Sequence, residues 1–241
     1  VDMAFGRSPG LLWGVGQGGL IAWDVSDNTE PTLLSKSPSD GHGRYHHVLP
    51  LPDGDSGGGM VYTTHRGHGL VVYDASSPEH PNKLFQLTEG GMEGMAQTDD
   101  LLYVASRTGS LLVVDISDRA KPRIQDRVSG LGRPWDVEAD AAGVYVADHE
   151  KGLVVMDRSL PERPIAVETH SIGGVQSIAM NERLLAAAAG SDGVALFSRE
   201  DPLRLLPLST VDLGTFVIDL AIDGNILWAV THERVHAIDI K

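Results

Sequence analysis

One short phrase recurs along the chain and decides its fold. It is clearest as Gly69-Leu-Val-Val-Tyr-Asp74-Ala-Ser-Ser-Pro-Glu-His-Pro81, and close versions end at Asp115 and Asp157. The residues that end the phrase are spaced by 50, 41, 42, 41 and 41 residues, at Asp24, Asp74, Asp115, Asp157, Ser198 and Asp239. A period of about 40 to 45 residues with several short strands per unit is typical of β-propeller blades. The sequence therefore predicts an all-β, six-bladed β-propeller of four-stranded antiparallel blades.

Each repeat contains four short apolar segments, which we name strands A to D. The fourth repeat shows them at Trp135 to Ala139, Val144 to Ala147, Leu153 to Met156 and Ile165 to Glu168. The aspartate that ends strand C is expected to begin a turn by accepting backbone N–H bonds. The proline seven residues later marks entry to strand D, an edge strand where a missing N–H is tolerated.

We expect the 241 residues to form a single propeller domain. The predicted blades cover approximately 1–38, 39–88, 89–129, 130–170, 171–211 and 212–241, and the last blade lacks its outer strand in this chain. Because the chain begins without methionine and within a strand pattern, we also expect it to be part of a longer protein.

The repeated phrases resemble the LVIVD repeat family. The resemblance rests on Leu70 to Asp74, Leu111 to Asp118 and Leu153 to Asp157, and on the strand A to B phrase from Ile218 to Trp228. It implies a β-propeller of bacterial or archaeal cell-surface or exported proteins, hence an extracytoplasmic location that is periplasmic, cell-surface or secreted. It implies no catalytic residues, because the family has no common activity to carry over. The fifth repeat departs most, with Ser198 in place of the aspartate and Leu205 in place of the late proline.

Composition excludes several classes of function. Cysteine is absent, which removes thiol catalysis, cysteine zinc sites and disulfides. A formal net charge of -14 argues against nucleic acid and against anionic membrane surfaces as partners. No apolar run approaches the roughly 18 to 20 residues needed to cross a bilayer, so we expect no membrane insertion.

The second repeat is the longest, and its extra residues lie in two loops. One runs from Ser35 to Arg44 and the other from Pro52 to Gly59. Asp53 and Asp55 have the spacing of a calcium loop, but the third carboxylate and the distal glutamate are missing. The composition favours a glycine-rich loop over an ion site.

Propeller topology places the D-to-A and B-to-C loops at one face, called the top. Most of the ten histidines lie in or beside these loops. Arginine side chains there, including Arg107, are candidates to receive an anionic ligand, and Tyr45 and Trp135 could stack on a sugar or a peptide side chain. The candidate ligand-binding residues are Arg44, Tyr45, His46, Arg66, Arg133 and Trp135.

One position of strand A is polar in every repeat but the third. Its residues, in chain order, are Asp2, His47, Gly94, Asp136, Ser177 and Asp219. Carboxylate and imidazole ligands suit divalent cations, so a divalent metal ion could be held by Asp2, His47, Asp136, Asp219 and Glu93, with His46 nearby. The competing interpretation is structural. A repeated buried carboxylate usually accepts hydrogen bonds from backbone N–H groups, which here would belong to the adjacent blade.

Two hypotheses for function follow, and they belong to different classes. The first is a non-enzymatic binding or assembly module whose top-face loops recognise a protein or carbohydrate partner; a purely structural role in a larger assembly differs only in the partner. The alternative is a metal-dependent hydrolase or lyase with the ion at the mouth of the central channel. The sequence contains no nucleophile elbow, metalloprotease helix, phosphate loop or dinucleotide fingerprint.

Overall fold

The structure is a computed structural model, and it describes residues 2–6, 8–27, 29–38, 45–51 and 59–241. Within these residues all regular structure is β-strand, arranged in six sheets of strands that follow one another in the chain. No helix long and apolar enough to cross a membrane occurs in the described ranges.

Five of the six sheets contain four strands each. Their bounds are, for the first sheet, β1 (Asp2–Phe5), β2 (Leu11–Gly16), β3 (Gly19–Asp24) and β4 (Thr32–Ser37); for the second, β5 (Tyr45–Leu51), β6 (Met60–His65), β7 (Gly69–Asp74) and β8 (Asn82–Leu87); for the third, β9 (Met92–Thr98), β10 (Leu101–Ser106), β11 (Ser110–Asp115) and β12 (Arg123–Ser129); for the fourth, β13 (Pro134–Ala139), β14 (Gly143–Asp148), β15 (Gly152–Asp157) and β16 (Ile165–His170); and for the fifth, β17 (Ser177–Met180), β18 (Leu184–Ala188), β19 (Val194–Ser198) and β20 (Leu206–Val211).

The sixth sheet has three strands, β21 (Val217–Asp223), β22 (Ile226–Thr231) and β23 (Val235–Asp239). The prediction of an all-β, six-bladed propeller with a three-stranded last blade is therefore confirmed. Observed strands run one or two residues beyond the apolar segments that predicted them, because flanking glycines and aspartates still pair with the neighbouring strand.

The aspartate that ends strand C forms the turn expected from the sequence. Asp74 Oδ1 accepts the N–H of Ser76 at 3.0 Å, and Asp157 Oδ1 accepts the N–H of Ser159 at 2.7 Å. The side chain and N–H of the following serine lower the pKa of these carboxyl groups, because both interactions favour the ionised form. Ser198 takes the same role more weakly, since its Oγ accepts the N–H of Glu200 at 3.3 Å.

The glycine that opens the strand C phrase is required by the backbone. Gly69 and Gly152 have φ angles of +84° and +98°, a region that side chains disfavour. A Cβ atom at either position would also overlap a backbone carbonyl oxygen of the adjacent strand, that of Leu87 or His170. The glycine therefore allows strand C to begin directly against strand D.

The chain divides into two compact units, 1–95 with 115–123 and 96–114 with 124–241. In the first unit the first and second sheets share one apolar core, in which Trp13, Val61 and Tyr73 are all at most 3% exposed. In the second unit the third and fourth, fourth and fifth, and fifth and sixth sheets share successive cores. Each core thus joins the facing sides of two consecutive sheets.

Two buried arginines of the second unit make the same pair of contacts beside these cores, one to a tyrosine hydroxyl and one to an aspartate carboxylate. Arg158 donates to the Tyr103 hydroxyl at 2.8 Å and to Asp99 Oδ2 at 2.7 Å. Arg199, 41 residues later, contacts the hydroxyl of Tyr145 and the carboxylate of Asp140 in the same way. A buried guanidinium needs such partners, so each arginine ties its own sheet to the preceding one.

Candidate functional site

The polar residues of strand A mainly connect consecutive sheets. Asp2 Oδ2 accepts the N–H of Val48 at 2.8 Å, and Asp136 Oδ2 accepts the N–H of Ile178 at 3.0 Å. In both cases the donor is on the first strand of the next sheet. This is the contact that the structural interpretation of the repeated carboxylate predicts. The side chain accepts a hydrogen bond from a backbone N–H that would otherwise need water.

The other strand A positions show variants of this contact. Ser177 Oγ donates to Asp219 Oδ1 at 2.7 Å, which again joins two consecutive first strands. His47 Nε2 lies 3.8 Å from Asp2 Oδ2, within ion-pair distance if the imidazole is protonated.

The five proposed metal ligands belong to both units: Asp2, His47 and Glu93 lie in the first, and Asp136 and Asp219 in the second. Among the residues that the structure describes, no three His, Asp or Glu side chains form a group that could hold a metal ion. The metal-site hypothesis therefore stays a prediction without geometric support, and metal content remains its test.

Glu93 belongs to a charged cluster in the first unit. Its carboxylate is buried and faces His46 Nδ1 at 3.1 Å and Arg66 Nε at 2.5 Å. Nearby, the rings of Tyr45 and His65 meet edge to face with centroids 5.2 Å apart. His46 and Arg66 are thus brought together at the carboxylate of Glu93, with which both pair. Tyr45 instead contacts the His65 ring and shares a hydrogen bond with the hydroxyl of Tyr73. Arg44 and the calcium-like loop of Asp53 and Asp55 lie outside the described residues.

A second cluster lies in the second unit, at the end of the fourth sheet where β13 begins. The guanidinium of Arg107 sits over the ring of Trp135 at 4.9 Å, and the ring of His149 lies 5.8 Å from Trp135. Arg133 Nη2 pairs with Glu150 Oε1 at 3.1 Å, and both side chains are about half exposed. We call these five residues the Trp135 cluster. It combines an aromatic surface with cations that face solvent, which is the composition of recognition surfaces.

Asp148 holds two of the three loops that carry this cluster, those of Arg133 and of Glu150, whereas Arg107 comes from the loop between β10 and β11. The Asp148 side chain is fully buried, and its two oxygens accept four backbone N–H bonds of 2.6 to 3.1 Å, from Gly132, Arg133, Glu150 and Lys151. Since a carboxylate with several backbone donors is a strong constraint, the loops on either side of it are fixed relative to each other. The Trp135 cluster is therefore presented on a preorganised support.

Glu138, also on β13, has a strongly perturbed carboxyl group. Burial and, to a smaller extent, the neighbouring charge of Asp136 raise its pKa to about 8, while Arg199 acts in the opposite sense. The side chain is thus protonated over much of the neutral range, unlike the carboxylates of the turns.

Three of these features escaped sequence reasoning. Asp148 follows an apolar strand segment like many surface turn residues, and nothing in its spacing reveals that it is fully buried. Arg158 and Arg199 each directly follow the last residue of strand C, and that shared offset was an available signal. Glu138 also carried one, because the same strand A position is apolar in the other five repeats, as Ala4, Leu49, Ala96, Ala179 and Ala221.

Comparison with known proteins agrees with this fold. The LVIVD repeat family matches residues 96–129 and 132–170, which lie in the third and fourth repeats. The resemblance is therefore confirmed over those two segments. Compared with curated proteins, the chain has no significant match.

Several solved structures share the fold of this chain at low sequence identity. The Neurospora crassa Pan2 WD40 domain superimposes with a TM-score of 0.78 and 12% identity, over 99% of this chain and 75% of that one. The computationally designed Ika8 protein gives 0.71 and 15%, over 100% and 70%. A chain of a nidogen/laminin complex gives 0.68 and 14%, over 95% and 89%. At these identities the likeness extends to the fold alone.

Proposed function

We propose that the protein is a non-enzymatic binding module that recognises a protein or carbohydrate partner through the Trp135 cluster. The observation that carries the proposal is the four-fold hydrogen bonding of the buried Asp148 beneath that cluster. Preorganised loops raise affinity because less conformational entropy is lost on binding.

The chemistry of the cluster supports a ligand that offers both a flat apolar surface and a negative group. The Trp135 ring provides stacking area beside Arg107, and Arg133 can exchange its half-exposed partner Glu150 for a carboxylate of the ligand, on a chain whose formal net charge is -14. A local cationic group against that background selects a carboxylate on its partner by electrostatic complementarity. Acidic peptides with an aromatic residue and sugars that carry a uronic acid meet this description. The extracytoplasmic location implied by the family resemblance stays a prediction beside this proposal.

The test compares ligand binding by two variants. The wild-type chain, Trp135→Ala and Leu160→Ala are applied to arrays of acidic peptides and of uronate-containing oligosaccharides. Leu160 is 61% exposed in the turn at the opposite end of the same sheet, so its substitution controls for a general change in surface apolarity. We expect a ligand that is retained by Leu160→Ala and weakened at least tenfold by Trp135→Ala.

The proposal would be overturned by either of two results. One is the absence of any ligand from both arrays, and the other is binding that Trp135→Ala leaves unchanged. Circular dichroism of each variant confirms that the β-sheet content is intact.

A further inference from the structure

A groove lies between the outer strand of the third sheet and the outer half of the fourth. Its volume is about 560 Å³, which is within the range of sites that hold ligands. One wall is β12 with the loop that follows it, and the other is formed by β15, β16 and the turn between them. All lining residues fall within 126–169, so both walls belong to the second unit and neither belongs to the first or the sixth sheet. We call it the outer groove.

The floor of the outer groove is apolar. Val128 on β12 is partly buried against the core that the third and fourth sheets share. Val154 and Met156 on β15 belong to that core and are 2% and 1% exposed. The register pairs Met156 with Ala166 on β16, which is exposed. The face of the fourth sheet that packs on the third therefore continues outward to an exposed apolar position on its outer strand.

A cation stands at each end of this floor. Arg163 donates from Nε to Asp126 Oδ2 at 2.8 Å, and its side chain is 73% exposed. Lys151 donates from Nζ to the carbonyl oxygen of Gly130. The two Nη groups of Arg163 and the remaining N–H bonds of Lys151 Nζ have no acceptor among the residues that the structure describes. Each cation can therefore receive a further negative group and keep the contact that it already makes.

The wall formed by β12 shows which order of groups the two cations accept. Asp126 and Val128 lie on one face of β12 because they are two residues apart, and Gly130 follows at the same spacing. In that order they contact Arg163, the shared core and Lys151. At about 3.3 Å per residue, Asp126 and Gly130 are about 13 Å apart. An extended segment beside β12 would meet the same sequence of cation, apolar floor and cation.

The charge of the outer groove favours an acidic occupant. Arg127 also lines it, so three cations face the single carboxylate of Asp126, a net charge of +2 on a chain whose formal net charge is -14. No other repeat has a lysine or an arginine at the position of Lys151, which is held there by Gly18, His68, Gly109, Asp192 or Glu233. The repeat itself thus does not require this cation, whereas an acidic ligand does.

We propose that the outer groove binds an extended acidic segment of a partner protein with the pattern acidic-x-apolar-x-acidic. Side chains at i, i+2 and i+4 of such a segment lie on one side of it. The two acidic ones reach Lys151 and Arg163, and the apolar one lies on the floor between Val128 and Ala166. A small anion could reach only one of two cations that are about 13 Å apart, so the spacing selects a peptide. This site is separate from the Trp135 cluster and does not rest on it.

The experiment measures the binding of a fluorescent, end-capped peptide of seven residues by anisotropy. Its second and sixth residues are aspartate, its fourth is leucine and the others are serine, so it offers no aromatic ring to Trp135. We expect saturable binding with a Kd on the order of 100 μM. Moving one aspartate from the second to the third position keeps the composition but breaks the two-residue spacing, so this second peptide should bind about tenfold more weakly.

Four variants assign the site. Lys151→Gln and Arg163→Gln each remove one exposed cation, and each should weaken binding of the first peptide about five- to tenfold. Arg204→Gln is the matched control, because Arg204 is exposed at the position of Arg163 in the fifth repeat. It should bind the peptide as the wild type does. Trp135→Ala should also leave the affinity unchanged, which separates the outer groove from the Trp135 cluster.

Three results would overturn the proposal. The first is the absence of saturable binding by the wild type up to about 1 mM peptide. The second is an affinity that neither Lys151→Gln nor Arg163→Gln changes, because the peptide then binds elsewhere. The third is loss of binding in Trp135→Ala alone, which would assign the peptide to the Trp135 cluster. The function proposed for that cluster is tested with its own ligands, so it stands or fails independently of the outer groove.

Discussion

Replacing Glu138 by glutamine should stabilise the protein, and the gain should grow with pH. The carboxyl group has a pKa of about 8 in the folded chain, against about 4.3 for a glutamate in an unfolded chain. Between these values the unfolded state releases the proton while the folded state keeps it. The unfolded state then binds fewer protons, so the free energy of unfolding falls as the pH rises from about 4 to about 8 and levels off above that.

The size of the effect follows from the same two values. Linkage gives a cost of about 1 kcal/mol at pH 5 and about 5 kcal/mol at pH 8, at about 1.36 kcal/mol for each pKa unit. These figures are upper limits, since Glu138 keeps part of its accessible surface. Glutamine preserves the shape of the protonated acid and cannot ionise, so Glu138→Gln should remove the pH-dependent part of the cost.

Urea denaturation of the wild type and Glu138→Gln at pH 5, 6.5 and 8 measures the free energy of unfolding directly. The matched control is Glu200→Gln, because Glu200 is exposed. The free energy of unfolding of this variant, relative to the wild type, should be the same at all three pH values. A gain for Glu138→Gln that is the same at all three pH values would refute the reasoning. So would a variant that is less stable than the wild type at pH 8.

Two further predictions concern the carboxylates that bond to backbone. Asp148→Ala should lower the free energy of unfolding by roughly 3 kcal/mol, because four N–H groups lose their acceptor, and hydrogen exchange should accelerate at Gly132, Arg133, Glu150 and Lys151. Unchanged exchange at those amides would contradict the role given to Asp148 as a support of the loops. Asp136→Ala should lower stability by about 1 to 3 kcal/mol because Ile178 loses the acceptor of its N–H, while the metal content of the protein, measured by elemental analysis, should not change. Loss of stoichiometric metal in this variant, with stability intact, would instead support the metal-site hypothesis.

The fold could be predicted from the sequence because its information is local and repeated. The strand C phrase contains an apolar strand, the turn after it and the entry to the next strand within thirteen residues, as in Gly69 to Pro81. Hydrogen bonds such as that from Ser76 to Asp74 span two residues, so sequence spacing nearly determines them. Repetition then supports each assignment several times over.

The site could be predicted only in part, because its contacts are not local. The bond from Ile178 to Asp136 spans 42 residues, and the sequence left both the bridging and the metal interpretations of that aspartate open. Whether Arg66 faces solvent or the buried Glu93 depends on a contact across 27 residues. Such choices are decided by how neighbouring sheets pack, which residue type and spacing do not specify.

The two adjacent positions at the start of strand A divide structural and site-specific roles between them. The position of Asp2, Asp136 and Asp219 repeats a small polar side chain, and in the described contacts it connects one sheet to the next. The residue just before it changes from repeat to repeat, and includes Glu93 and Trp135. A change at the first position removes a hydrogen bond between sheets, whereas a change at the second alters a local cluster, such as the buried pairs of Glu93 with His46 and Arg66 or the stacking of Arg107 on Trp135. The repeated carboxylates therefore serve the fold in every repeat where they occur, while the residue before them gives each repeat its own surface, which is why the binding hypothesis rests on the Trp135 cluster.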